Sequence, residues 1–355
     1  MFGKYALTLG LTVTAAAVFG GWFGSAASAA PAPRVAHPAV FNRTSASEAP
    51  QLGAAVNDVM LAKAGPRYVR TLLAHYRSIT PEWEMEMSQL EPSRGHFTFG
   101  QADAIVAFAR RHNMPVRGHT LVWDQMIPSW VLHGDWTRAQ LENVLHTYIT
   151  TVVSHYRGKV EEWDVVNEPL TTAGRMRQSI WERVIGPDYV ALAFKWAHAA
   201  DPSARLFLNE YGAEWNDLKE HALFQLVSGL EKAGVPIGGV GFQAHLLLNA
   251  HPPQAELTGV LRQFAALGLR LEITELDVRA GGSAPLEKRL AEEAAIYKTV
   301  AASCAAVRAC ARVTTWGITD AATWIGTANR PLPFDTHYQP KPAWYALRAG
   351  LTPRG

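Results

Sequence analysis

The sequence is poor in cysteine, with two residues in 355, Cys304 and Cys310. It has no HExxH or CxxC pattern, and its thirteen histidines are scattered, so no metal site and no cofactor are expected. No basic run exceeds two residues and the formal net charge is +2, which argues against nucleic acid and membrane surfaces as partners. A Gly-rich phosphate loop is also missing after the first apolar run.

One apolar stretch stands apart. Lys4 precedes a run from Ala6 to Gly24 that is diluted by Thr and Gly, and Ala27-Ser28-Ala29 offers small residues for cleavage. Residues 1–29 are therefore expected to be a secretory signal peptide and the protein extracellular. Export places Cys304 and Cys310 in an oxidising compartment, where a local bridge is expected. Residues 30–50, rich in Ala, Pro, Ser and Thr, read as a flexible arm. Residues 51–355 suffice for one large domain, with no appended binding module and a monomeric state expected. Twelve tryptophans are many, and exposed indoles in secreted proteins often stack on sugar rings.

From Gln51 onward, short apolar runs alternate with helical patterns. The runs are Gly53–Val56, Ser78–Thr80, Val116–Gly118, Glu162–Val166, Leu206–Leu208, Val240–Gln243, Leu269–Thr274 and Val313–Trp316. In the helix after the third run, Leu141, Val144, Leu145, Tyr148, Val152 and Val153 fall on one face, and Thr137 with Gln140 forms a capping-box pair. Eight strand–helix alternations predict an α/β domain with a parallel sheet; a (β/α)8 TIM barrel and an open sheet both fit, and the count of eight favours the barrel.

The polar residues gather at strand ends. Asn167-Glu168-Pro169 follows the fourth strand, and Glu275-Leu276-Asp277 the seventh. In a barrel the C-terminal strand ends converge on one open face, so two carboxylates would meet across its mouth. That suits glycosidic-bond hydrolysis, where one acid protonates the leaving oxygen and the other attacks or supports the oxocarbenium-like transition state. Arg117 to Trp123 closes the third strand, Gly241 to His245 the sixth and Thr315 to Gly317 the eighth, bringing more His, Gln and Trp to the same rim.

Taken in order, these segments resemble glycoside hydrolase family 10, the xylanase family. The match includes Gly118-His119-Thr120-Leu121-Val122-Trp123, Trp163 to Pro169, Gly241 to His245, Ile273 to Asp277, Thr315 to Asp320 and Phe334 to Pro342. The resemblance implies a retaining endo-β-1,4-xylanase with Glu168 as general acid/base and Glu275 as nucleophile. It implies that Asn167 bonds the sugar 2-hydroxyl and that Asp277 holds His245, which holds Glu275. Glu82, His119, Trp123, Tyr211, Gln243, His245, Trp316 and Trp324 would contact carbohydrate. The pair Cys304 and Cys310 matches one found in many members.

The departures concentrate in sugar recognition. Trp83 and Glu86 stand where the family usually has Asn and Lys; Asp124, Gly212 and Ile325 stand where His, Asn and Arg are usual. An acceptor-only carboxylate at Glu86 would not replace a Lys donor, but could accept from differently placed hydroxyls. Two substrates are thus expected to compete: xylan, or another β-glycoside such as a plant saponin, cleaved by tomatinase-like relatives. Barrels of this kind that became lectins or inhibitors usually lost one of the two acids, and both are kept here.

Overall fold

In the computed structural model of the chain, residues 49–352 are described. The expected signal peptide and nearly all of the arm lie outside them. Eight parallel strands form the centre: β1 (Gln51–Val56), β2 (Ser78–Pro81), β3 (Arg117–Gly118), β4 (Glu162–Asn167), β5 (Arg205–Glu210), β6 (Gly239–Phe242), β7 (Arg270–Arg279) and β8 (Cys310–Thr315). Each is followed by a long helix: α1 (Pro66–His75), α2 (Gly100–Arg111), α3 (Arg138–His155), α4 (Asp188–Ala200), α5 (Asp217–Lys232), α6 (Gln254–Ala265), α7 (Leu286–Ala305) and α8 (Pro342–Leu351).

Pairing runs β2-β1-β8-β7-β6-β5-β4-β3. A parallel bridge from Ile79 to Val116 joins the outer two strands, and Ile79 N donates to Pro115 O at 3.1 Å. Barrel closure therefore passes through β2 and β3. The strands are buried nearly throughout, because helices cover one face and the packed interior fills the other. Polar residues of these runs, among them Glu162, Asp164 and Glu272, are buried as well, so their alternation marks two buried faces rather than a solvated one.

Helix α3 begins with the reciprocal Thr137–Gln140 cap and buries Leu141, Val144, Leu145, Tyr148, Val152 and Val153. Cys304 and Cys310 form a disulfide between the end of α7 and the start of β8, with Cα atoms 5.2 Å apart.

Two expectations need correction. Strand β3 holds only two residues, since Val116 makes just the single bridge to Ile79. Strand β7 does not stop at Thr274 but continues to Arg279. Its register against β8 shifts between Ile273 and Leu276, and its far half pairs with a short strand, His245–Leu247. Glu275 and Asp277 consequently lie inside β7, with backbones fixed by neighbours on either side.

Candidate active site

The C-terminal strand ends surround a cavity of about 470 Å³. It is lined by Glu82, Trp83, His119, Trp123, Gln125, Asn167, Glu168, Arg177, Tyr211, Gln243, His245, Glu275, Trp316 and Trp324. Asp277 lies just outside the lining. Five aromatic walls around a few convergent polar groups form a concave site suited to sugar rings.

Glu168 leaves β4 with φ +53°, a left-handed conformation uncommon for a residue with a side chain. Neighbouring groups hold it there. Its N–H donates to Asn209 O at 2.9 Å, and its carbonyl accepts from Arg177 Nε at 2.9 Å. Its Oε1 accepts from Gln243 Nε2 at 3.1 Å. Burial raises its pKa above the ordinary carboxylate value, and the Glu275 charge adds to the rise.

Glu275 is held from both sides. Asn209 Nδ2 donates to its Oε1 at 2.6 Å, and His245 Nε2 lies 3.2 Å from its Oε2. His245 Nδ1 is 3.1 Å from Asp277 Oδ1, and Trp324 Nε1 donates to Asp277 Oδ2 at 2.7 Å. Burial alone would lower the His245 pKa, but the Asp277 charge and the bonds to Asp277 and Glu275 hold it well above the usual value.

Asn209 had no signal in the rim pattern, yet it connects the two acids. It donates to Asn167 Oδ1 at 2.9 Å as well as to Glu275, and Thr274 Oγ1 donates to its own Oδ1 at 2.7 Å. Gln243 also reaches Asn167 Oδ1, at 3.2 Å. A continuous chain of amides, Gln243–Asn167–Asn209, thus spans from Glu168 to Glu275. Each side-chain orientation is set by the next. Asn209 is the penultimate residue of β5, beside Glu210, a clue readable only once β5 is known to adjoin β4.

His119 stands on the cleft wall, with Nδ1 3.0 Å from Asp164 Oδ2 and its ring 5.1 Å from that of Trp316. Burial opposes its charge, but Asp164, Glu275 and Glu86 overcome this and push its pKa to about 9.

The expected sugar-facing role of Glu86 fails. It is buried, absent from the cavity lining, and 3.7 Å from His119 Nε2. Burial pushes its pKa up to about 8 against the pull of His119, and its carboxyl faces that imidazole rather than a sugar. Glu82 does line the cavity, accepts from Asn57 Nδ2 at 3.0 Å, and is pushed by burial to about 7. Of the other departures, Trp83 lines the cavity and Ile325 does not. Asp124 Oδ2 lies 3.4 Å from Arg177 Nε. Gly212 has φ +74°, and a Cβ there would lie 3.6 Å from the Trp215 ring.

Comparisons with known proteins agree with this geometry. The chain is 37% identical over 280 residues to endo-1,4-beta-xylanase 1 of Humicola insolens, covering 78% of this chain and 65% of that protein. It is 37% identical over 309 residues to exoglucanase XynX of Acetivibrio thermocellus, covering 83% of this chain and 28% of that one. The chain thus spans less than two thirds of either relative's length. Among solved structures, xylanase 10B from Thermotoga petrophila in complex with xylobiose superposes with a TM-score of 0.81 at 35% identity, covering 85% of this chain and 94% of that chain. The family model described as glycosyl hydrolase family 10 matches residues 42–349. The fold, the two rim glutamates and these matches coincide over the same stretch, and the chain belongs to glycosyl hydrolase family 10.

Proposed function

We propose that the protein is a secreted endo-β-1,4-xylanase that hydrolyses xylan with retention of anomeric configuration. The observation that carries this reading is the amide chain joining Glu168 to Glu275 at the floor of an aromatic-walled cleft. Xylanase relatives and a neighbour solved with xylobiose support the substrate class.

In the first step Glu275 attacks the anomeric carbon and Glu168 protonates the departing glycosidic oxygen. A covalent glycosyl ester forms on Glu275 while the aglycone leaves as an alcohol. In the second step Glu168, now a carboxylate, takes a proton from water, and the water oxygen displaces Glu275. The raised pKa of Glu168 suits the first step, since the acid must hold its proton before attack. Asn167, fixed by two amide donors, offers its own N–H₂ to the sugar 2-hydroxyl. His245, braced by Asp277, steadies Glu275.

Proton NMR of xylo-oligosaccharide hydrolysis tests the mechanism: the β-anomer is the expected first product, and an initial α-anomer overturns double displacement. Export is supported by the disulfide. N-terminal sequencing of protein from culture medium is expected to start near residue 30, and retention of Met1 would refute it.

A second reading, a β-glycosidase for a non-xylan glycoside such as a plant saponin, is favoured by Trp83, which lines the cavity where the family usually has Asn. Xylan and α-tomatine assayed side by side separate the two. Strong turnover of xylan alone dismisses the second.

A further inference from the structure

A second cavity, of about 10 Å³ and so with room for about one water, lies against Glu168. Its lining includes Asp124, Asn167, Glu168, Arg177, Trp181 and Tyr189. Asp124 Oδ1 is buried without a direct hydrogen-bond partner, while Oδ2 lies 3.4 Å from Arg177 Nε. Arg177 serves several acceptors at once. Its Nε holds the Glu168 carbonyl; its Nη2 donates to Leu170 O at 3.1 Å and to Tyr211 Oη at 3.2 Å and lies 3.8 Å from Glu168 Oε2. The arginine that fixes the Glu168 backbone therefore sets a positive charge beside its carboxyl. A cation so placed favours loss of the proton, which opposes acid catalysis.

We propose that Asp124 is a positioning residue for Glu168: it neutralises Arg177 and, through a water seated in the shared cavity, connects to the carboxyl, so that the acid keeps its proton. This inference rests on the reading of Glu168 as acid/base. Other ionisable groups surround the pair, among them Glu182, whose charge acts on Tyr189 together with that of Asp124. Glu275, Glu210 and Glu86 face Glu168 as acids, and Glu210 is itself paired with Lys219 at 2.8 Å. His119 and His245 line the same cleft, and the phenols of Tyr189 and Tyr211 flank Asp124 and Arg177. Removing the Asp124 charge leaves Arg177 with less compensation at the shortest range.

The test compares wild type with Asp124→Asn, a change of nearly equal shape. With an aryl xylobioside bearing a poor leaving group, the basic limb of kcat/KM against pH is expected to move toward acid by about half a pH unit or more. With a dinitrophenyl leaving group, which departs without a proton, the limb stays in place. Superimposable profiles on the poor leaving group overturn the proposal, as does an equal displacement on both substrates. Asp124→Glu keeps the charge and is expected to restore the wild-type limb; a displaced limb there also counts against it. NMR titration of the Glu168 side-chain carbon, assigned with Glu168→Gln, reads the same effect without substrate. Its midpoint is expected to fall in Asp124→Asn, and an unmoved midpoint overturns the proposal. If wild type cleaves no xyloside while this midpoint still falls, the xylanase reading fails and the role of Asp124 stands.

Discussion

At the scale of single residues, the site divides labour between groups that touch the bond and groups that aim them. Glu275→Ala removes the attacking carboxylate and is expected to lower kcat on an aryl xyloside by about 10⁴-fold or more, leaving the thermal transition nearly unchanged. Unaltered turnover would exclude the covalent route. Asn209→Ala removes one donor from Glu275 and the support of Asn167 together, and is expected to cost about 10²-fold in kcat with a smaller effect on KM. A loss confined to KM would show that Asn209 serves binding alone. The motifs pointed to both glutamates because Asn167-Glu168-Pro169 and Ile273 to Asp277 resemble the family's segments in order and spacing; a glutamate at a strand end is by itself often just solvated. They did not point to Asn209 or Arg177. An amide or guanidinium is informative only through its partners, and these partners lie on other strands and loops. The same limit misled at Glu86, where sequence carries identity but not depth. Its burial beside His119 takes it out of the cavity wall, where it was expected to accept from sugar hydroxyls.

At the scale of elements, strand positions were legible and strand ends were not. Apolar clustering marks where the chain enters the barrel, but the successive polar residues Thr274 and Glu275 read as a strand end, whereas β7 continues there through a register shift. The cause is physical: a bulge sets an extra residue against its partner strand, so Leu271 and Ile273 alternate in one phase and Leu276 and Val278 in the other. Strand β3 shows a different constraint. A Cβ at Gly118 would lie 2.3 Å from the ring of Trp163, which pairs beside it on β4 and is fully buried. The indole has no room to retreat. Gly118→Ala is therefore expected to destabilise by about 1–3 kcal/mol, read as a lower denaturant midpoint, with activity reduced because His119 follows directly. A midpoint equal to wild type would mean that Trp163 shifts at little cost.

At the scale of the whole molecule, the barrel interior is held by charge as well as by apolar packing. Glu162, Asp164 and Glu272 are buried among Arg117, Arg270 and Arg312, with the less buried Arg205 at one edge. Glu162 is bound by Arg312, lies 2.9 Å from Arg205 Nη1 and 3.3 Å from Arg270 Nε, and Glu272 lies 2.8 Å from Arg117 Nη1. Arg117 also grips Asp164, which orients His119, so the cluster under the site supports one wall of the cleft. Burial by itself would raise the Glu162 pKa, but the surrounding arginines outweigh it and hold the carboxyl well below its usual range; Asp164 is lowered likewise, with Arg117 the main opposing charge. A carboxylate depressed in the folded state stabilises the fold above its unfolded pKa, and that contribution is lost as pH falls toward the folded value. The contribution of this cluster should thus be fully present above about pH 4.5 and fall away below it. Glu162→Gln leaves buried arginines short of a counter-charge, and a loss of about 3–5 kcal/mol is expected at pH 7. Because the variant lacks the titrating group, its Tm should also fall less steeply than that of wild type between pH 5 and pH 3. Calorimetry across that range decides the matter: parallel Tm curves would mean that the cluster fills space without governing acid stability.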